Sequence, residues 1–595
     1  MTARPDVSTF FDPQRGFYLT QQGAEPTLRI HLHLSANIFR LILDTFDMTF
    51  LPKVMGITLS IASSLMLVAC GGSSSDSQTG SVTSDVSQNF NDQCDKATFP
   101  SIEWSRCELE NSARTLEAPL EQLRQPELLV QATAQSGINL QDYFERILKD
   151  PSWLLLGLNG RDDPIQQLVS QPLGIVSLNG NTPLTSVTST YAGPAVSDPF
   201  RYPESPGADG TAFYQDEAVV TPVVFFDREC ARITGRIWRP RNVSSKLPGI
   251  VINNGSVQAH EPAYWWAAQA LIRAGYQVMT YDPRGQGRSD FLTPTGGTGT
   301  NINPSVFWLG LVDAIDFFRS TPGRLAPHNQ RCAVAYSTET TAFNPEYASL
   351  DLDRLGLAGH SLGAIGVSVV QGYGAAGADP WPGMLDDNNP VDAIVAWDGL
   401  LRPDGGLVGG AFQGGGVGSL LNRIGVTDPL FRVAIERGLP KFGVRVPAMS
   451  QGSDYGVIVS PFVLPPDPEE RLALGFKPWA SAGAPVFDIT LRGSTHFEWS
   501  LLLGLPTTSW CPQIVNGRCE GGWGMPTARY YTVAWFDRWL KTSREVGYST
   551  ADARLTELSG DFGRDRMSFR YRSAYSFPLR TGEKVTCNDI RAACK

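Results

Sequence analysis

The sequence predicts an α/β protein built on a mostly parallel sheet of eight strands with helices on its faces. Two observations predict it. From residue 221 onward, short apolar runs of strand length alternate with helical stretches, and strands joined through helices imply right-handed crossovers and parallel neighbours. One of these runs, PGIVINNGS (248 to 256), is a short apolar run that stops at glycine, and YQVMTYD (276 to 282) reads as another buried strand, as expected of strands covered on both faces.

The elements follow in order. TPVVFFD (221 to 227) and ARITGRIWRP (231 to 240) alternate like an antiparallel pair. PGIVINNGS (248 to 256) is a short apolar strand that stops at glycine, followed by the helix PAYWWAAQALIRAG (262 to 275) and the strand 276 to 282. A helix over 304 to 319 precedes the strand LGLAG (355 to 359), and DAIVAWD (392 to 398) comes next. VPAMSQ (446 to 451), PVFDITL (485 to 491) and the amphipathic helix ARYYTVAWFDRWLK (528 to 541) complete the domain, placed at 215 to 545. Its insertions, 291 to 350 and the glycine-rich 399 to 445, are long enough to cap a site. Residues 105 to 214 are expected as a helical and loop extension packed on this domain, and 546 to 595 as a disulfide-tied tail.

The chain has 595 residues, 42% of them hydrophobic and 18% charged, with a formal net charge of -10 and scattered Lys and Arg. Without a basic run, a nucleic acid is not an expected partner.

Near the start, Lys53 precedes the apolar run VMGITLSIASSLMLVA, Val54 to Ala69, which ends at Cys70 and the polar GGSSSDSQTG. The run is short for a membrane span and suits a signal-peptide core. The stretch LVAC resembles the lipobox of bacterial lipoproteins, which implies a lipid on Cys70. On that resemblance, 48 to 70 is a lipoprotein signal peptide, 71 to 104 a flexible tether, and 1 to 47 an over-extended start. The implied location is the cell envelope, with the membrane as partner through the anchor. Gly71 after the cysteine is similar to the outer-membrane sorting pattern.

Eight cysteines remain, an even number suited to disulfides in an oxidising compartment. Proximity suggests Cys94 with Cys107, Cys511 with Cys519 and Cys587 with Cys594, leaving Cys230 with Cys332. A metal site is not expected: no C-x-x-C pair occurs, and only His260, His328, His360 and His496 remain after processing. No cofactor is expected either.

Four stretches carry chemistry: NNGS (253 to 256), DPRGQGRSD (282 to 290), GHSLG (359 to 363) and GSTHFEWS (493 to 500). GHSLG fits G-x-S-x-G, in which a serine sits on a sharp strand-to-helix turn. Together and in this order they resemble the α/β-hydrolase family, whose fold is thereby expected. The resemblance implies Ser361 as nucleophile and His496, the only histidine downstream of it, as general base and acid. Two acids follow strands between them. Asp454, after the seventh strand, holds the position where the family usually carries its acid; Asp398, after the sixth, is the alternative. The oxyanion donors implied are the backbone N–H groups of Leu362 and of the Gly255-Ser256 turn, with Ser256 preferred. Asn254-Gly255 stands where the family commonly has His-Gly. Arg284, Gly285 and Gly287 read as structural, and His360 as lining the pocket or packing nearby. Trp265 and Trp266 either border the pocket or pack a helix on the sheet.

The expected activity is hydrolysis of carboxylic esters, of lipid, acyl-ester or polyester type, through an acyl-enzyme. A peptidase or amidase on the same residues, and a non-catalytic envelope-binding lipoprotein, remain the alternatives.

Overall fold

A computed structural model describes residues 94, 97–115, 213–255, 261–286, 289–290, 293–297, 299, 303–333, 340–403, 439–456, 462, 465–500, 513–515, 518–520, 524–557 and 562–594. The strands are β1 (Ala218–Phe226), β2 (Arg232–Pro240), β3 (Leu247–Asn253), β4 (Gln277–Tyr281), β5 (Leu350–His360) and β6 (Val391–Trp397). They continue with β7 (Ala448–Ser453), β8 (Val486–Leu491), the small hairpin β9 (Gln513–Val515) and β10 (Arg518–Glu520), then β11 (Ala574–Pro578) and β12 (Lys584–Cys587). The α-helices are α1 (Ile102–Thr115), α2 (Trp265–Arg273), α3 (Leu309–Arg319), α4 (Pro327–Cys332) and α5 (Leu362–Val370). They are followed by α6 (Glu470–Leu474), α7 (Phe476–Ser481), α8 (Gly524–Leu540) and α9 (Ala551–Thr556).

The main sheet runs β1-β2-β4-β3-β5-β6-β7-β8-β11-β12. Its centre, from β4 through β3 and β5 to β8, is parallel, and both margins are antiparallel. The sheet thus has ten strands among the described residues where eight were expected. The two additional strands come from the segment read as a tail: β11 pairs with β8 through Ala574↔Asp488 and folds back on β12. Polar residues and Pro578 hide this hairpin from a search for apolar runs, and the proline is tolerated because it lies past the residues of β11 that pair with β8.

Side chains alternate across the sheet into two cores. Val251, Leu357 and Ile394 face the layer of α3 and α5, while Ile250, Ile252, Ala358 and Val395 face α2 and α8. The central strands are therefore covered on both faces, which is why apolar residues dominate their inner stretches. Trp265 and Trp266 belong to the second core, at 0% and 4% exposure. Trp265 packs on Trp238 and Trp266 near Trp397, so both fill the space between helix and sheet.

Three of the four expected disulfides are formed: Cys94 with Cys107, Cys230 with Cys332, and Cys587 with Cys594. Cys511 lies outside the described residues and the side chain of Cys519 is not described. Cys70, the segments 1 to 93 and 116 to 212, and the glycine-rich 404 to 438 also lie outside them.

Candidate active site

Ser361 stands between the last residue of β5 and the first of α5, with φ 57° and ψ -123°. An L-residue in this left-handed region is strained by about 1–3 kcal/mol, and such strain persists only where the surroundings enforce it. They do so here: the Ser361 N–H donates to the Trp397 carbonyl at 3.0 Å, and its own carbonyl accepts from the amides of Ala364 and Ile365. The flanking glycines permit the close approach. A Cβ on Gly359 would lie 2.3 Å from the Gly363 oxygen, and one on Gly363 2.3 Å from the Asn253 oxygen. In this chain the pattern G-x-S-x-G is a packing requirement of the turn.

His496 opens a short 3₁₀ turn after β8, fixed by its N–H on the Gly456 carbonyl at 2.7 Å. Its Nδ1 lies 2.6 Å from Asp398 Oδ2. An ionised carboxylate only accepts, so Nδ1 carries the hydrogen, and in the neutral ring Nε2 is the acceptor. Asp398 follows β6, the strand beside β5, and has φ 52°. Its Oδ1 accepts from the Ser453 N–H at 2.7 Å and its Oδ2 from the Ser453 hydroxyl at 2.8 Å. Burial alone would push this carboxyl up. The hydrogen bond and charge of His496, then the Arg471 cation and the Ser453 amide, outweigh burial and bring it down to about 2.

The partner of His496 is thus Asp398 and not Asp454, which corrects the preference for Asp454. That carboxylate is used elsewhere. Its Oδ1 accepts from Ser568 Oγ at 2.6 Å, and its Oδ2 accepts from the Gly493 N–H and pairs with Arg570. Arg570, fully buried, also pairs with Glu108 of α1 at 2.6 Å and stacks over Tyr455. A carboxylate tied to a buried guanidinium cannot swing to an imidazole without stranding that charge.

His360 joins the stations of the site. Its Nε2 donates to the His496 carbonyl at 2.7 Å, so its Nδ1 accepts, at 2.8 Å, from the Tyr264 hydroxyl, whose oxygen in turn accepts from the Gly255 N–H at 2.9 Å. The chain of donors has one direction, and it requires a neutral ring. Burial first, and the neighbouring His496 second, lower the His360 pKa to about 3. The Gly255 amide is therefore engaged with Tyr264. Ser256, expected as the second oxyanion donor, lies outside the described residues, while Leu362 provides the first amide of α5.

The turn after β4 ties loops together. Asp282 accepts from Asn254 and from the Glu261 amide, Gln286 donates to the Gly255 carbonyl, and Asp290 pairs with Arg232. Arg284 pairs with Glu229 and Asp227, and Gly285 has φ 84°. Gly287 and His260 are outside the described residues.

Sequence reasoning did not single out Ser453, Tyr264 or Arg471. For Asp398 a signal was present: Asp-Gly directly after an apolar strand marks a turn that tolerates positive φ. Gly399 is needed there too, since a Cβ would meet the Ser361 carbonyl oxygen at 2.7 Å.

No family model matches the chain, and no curated protein matches it. Among solved structures, an acylaminoacyl peptidase from Pyrococcus horikoshii, in its orthorhombic crystal form, is similar over 58% of this chain and 45% of that chain. The TM-score is 0.32 and the sequence identity 13%.

Proposed function

We propose that this chain is a serine hydrolase of α/β-hydrolase type that cleaves carboxylic esters through an acyl-enzyme. The observation that carries the reading is the hydrogen bond from His496 Nδ1 to Asp398, in a site whose serine is held in a strained strand-to-helix turn. In this reading Ser361 attacks the ester carbonyl carbon as His496 Nε2 takes its proton. The imidazolium is stabilised by Asp398, which keeps its charge throughout. The N–H of Leu362, at the start of α5, faces the developing oxyanion, with a second donor from the turn after β3. Collapse of the tetrahedral adduct expels the alcohol with the proton from His496. Water then repeats the sequence on the acyl-enzyme and releases the acid.

Amides would follow the same steps with an amine leaving. Attachment to the envelope through a lipid on Cys70 is part of the proposal, supported by the LVAC-Gly motif and by disulfide pairing among the described cysteines.

The test is turnover of a p-nitrophenyl ester series, with acyl-peptide anilides in parallel, by the chain from residue 71 onward. Ser361→Ala is expected to lower kcat by about 10⁶ and Asp398→Asn by about 10⁴, with Asp454→Asn retaining most of it per folded molecule. Anilide turnover exceeding ester turnover would move the reading to a peptidase. A folded protein that turns over neither substrate and refuses a fluorophosphonate at Ser361 would leave a non-catalytic envelope lipoprotein.

A further inference from the structure

Asp398 is held by more than its histidine. Ser453, the last residue of β7, gives both its amide and its hydroxyl to the two carboxylate oxygens. The carbonyl of the same serine accepts from the Arg471 guanidinium of α6 at 3.0 Å. All three residues are buried, at 2% for Asp398, 0% for Ser453 and 5% for Arg471. The guanidinium is itself held over the Tyr571 ring at 4.6 Å, against the segment that leads into β11. A full positive charge thus stands one residue behind the acid, in a region from which water is excluded.

We propose that Arg471 and Ser453 are positioning residues for Asp398, the guanidinium fixing Ser453 and Ser453 fixing both carboxylate oxygens, so that the acid stays charged and aimed at His496. The inference rests on the hydrolase reading for its meaning in catalysis but not for its geometry. The charged and titratable groups facing the acid are His496, His360 and Arg471. Those facing Arg471 are Asp398, Glu470, Asp454, Asp488 and Tyr571. Carboxylates therefore surround Arg471, and removing this cation leaves them without their shared counter-charge. Asp398 and His496 share one hydrogen bond, so the effect is read on the pair. Loss of a nearby cation makes a proton on either member easier to keep, and both apparent values move upward.

The experiment follows His496 by NMR in histidine-labelled protein through a pH titration, beside the pH profile of kcat/KM on a p-nitrophenyl ester. Wild type is compared with Arg471→Met, Arg471→Lys and Ser453→Ala. Arg471→Met is expected to raise the His496 titration by about 0.5–1 unit and to move the acid limb of the profile in the same direction, with Arg471→Lys restoring most of the shift. Ser453→Ala carries the same sign and removes only a hydroxyl, which keeps the test open should Arg471→Met fold poorly. Variants that lose activity equally at all pH values, with the His496 titration unmoved, would overturn the proposal and leave these residues as packing alone. A wild type without turnover whose His496 titration still responds to Arg471→Met would retain the clasp and defeat the hydrolase reading instead.

Discussion

Asp398 and Asp488 are both buried carboxylates, yet their protonation is driven in opposite directions. Asp398 has His496 as a direct partner and falls to about 2. Asp488, on β8, is pushed up to about 7, mainly by burial, which the Arg471 charge and the Phe476 amide only partly offset. The signs of the stability effects follow. The contribution of Asp398 is present above its ordinary value of 3.8 and is lost as pH falls toward 2. Asp488 favours the folded state while protonated, and that contribution is lost as pH rises from about 4 to about 7. Asp488→Asn keeps the hydrogen bonds without the charge, so it is expected to be more stable than wild type at pH 8, by up to about 4 kcal/mol, and indistinguishable near pH 4. Denaturant melts at the two pH values check this, and equal stabilities at pH 8 would contradict it. The choice between the two candidate acids was also decided at this scale. Asp398 and Asp454 each follow a strand, and the Asp-Gly signal at Asp398 marks a turn without naming the partner of a histidine. What separates them is Arg570, more than a hundred residues further along, which occupies Asp454.

The turn that carries Ser361 was legible because its glycines are a local requirement written in five adjacent residues, and the parallel strands were legible because burial on both faces leaves apolar runs. The hairpin of β11 and β12 was not, since an edge hairpin needs little apolar sequence and takes its stability from pairing with β8. The same logic gives a prediction for the turn. Gly363→Ala would bring a methyl to 2.3 and 2.4 Å from the carbonyl oxygens of Asn253 and Asn254, with backbone on both sides and no flexible side chain to yield. Overpacking of this kind costs about 1–3 kcal/mol. It is expected to lower the melting temperature and to slow fluorophosphonate labelling of Ser361 together, because the end of β3 and the serine turn must move apart. A normal labelling rate in the folded variant would mean that the turn is less constrained than its contacts imply.

At the scale of the whole chain, links between distant segments decide how the parts hold together. The bond between Cys230 and Cys332 spans a sequence separation of 102 and joins the β1–β2 turn to the end of α4. Closing a loop of that length removes about 4–5 kcal/mol of denatured-state freedom in the chain-entropy view. Cys230→Ser with Cys332→Ser is therefore expected to lose several kcal/mol in denaturant unfolding, and unchanged stability would show that the loop is constrained without the bond. Proximity in sequence suggested three short pairs, two of which are formed among the described residues, and left this long one by elimination. No comparable pattern marked the trio of Glu108, Asp454 and Arg570. That trio also sets a timetable. Translation delivers Glu108 first, Asp454 next and Arg570 after both, so a nascent chain holds two carboxylates destined for burial before their cation exists. A chain stalled short of Arg570 holds Ser361, Asp398 and His496 but leaves Asp454, the residue after Ser453, without its cation.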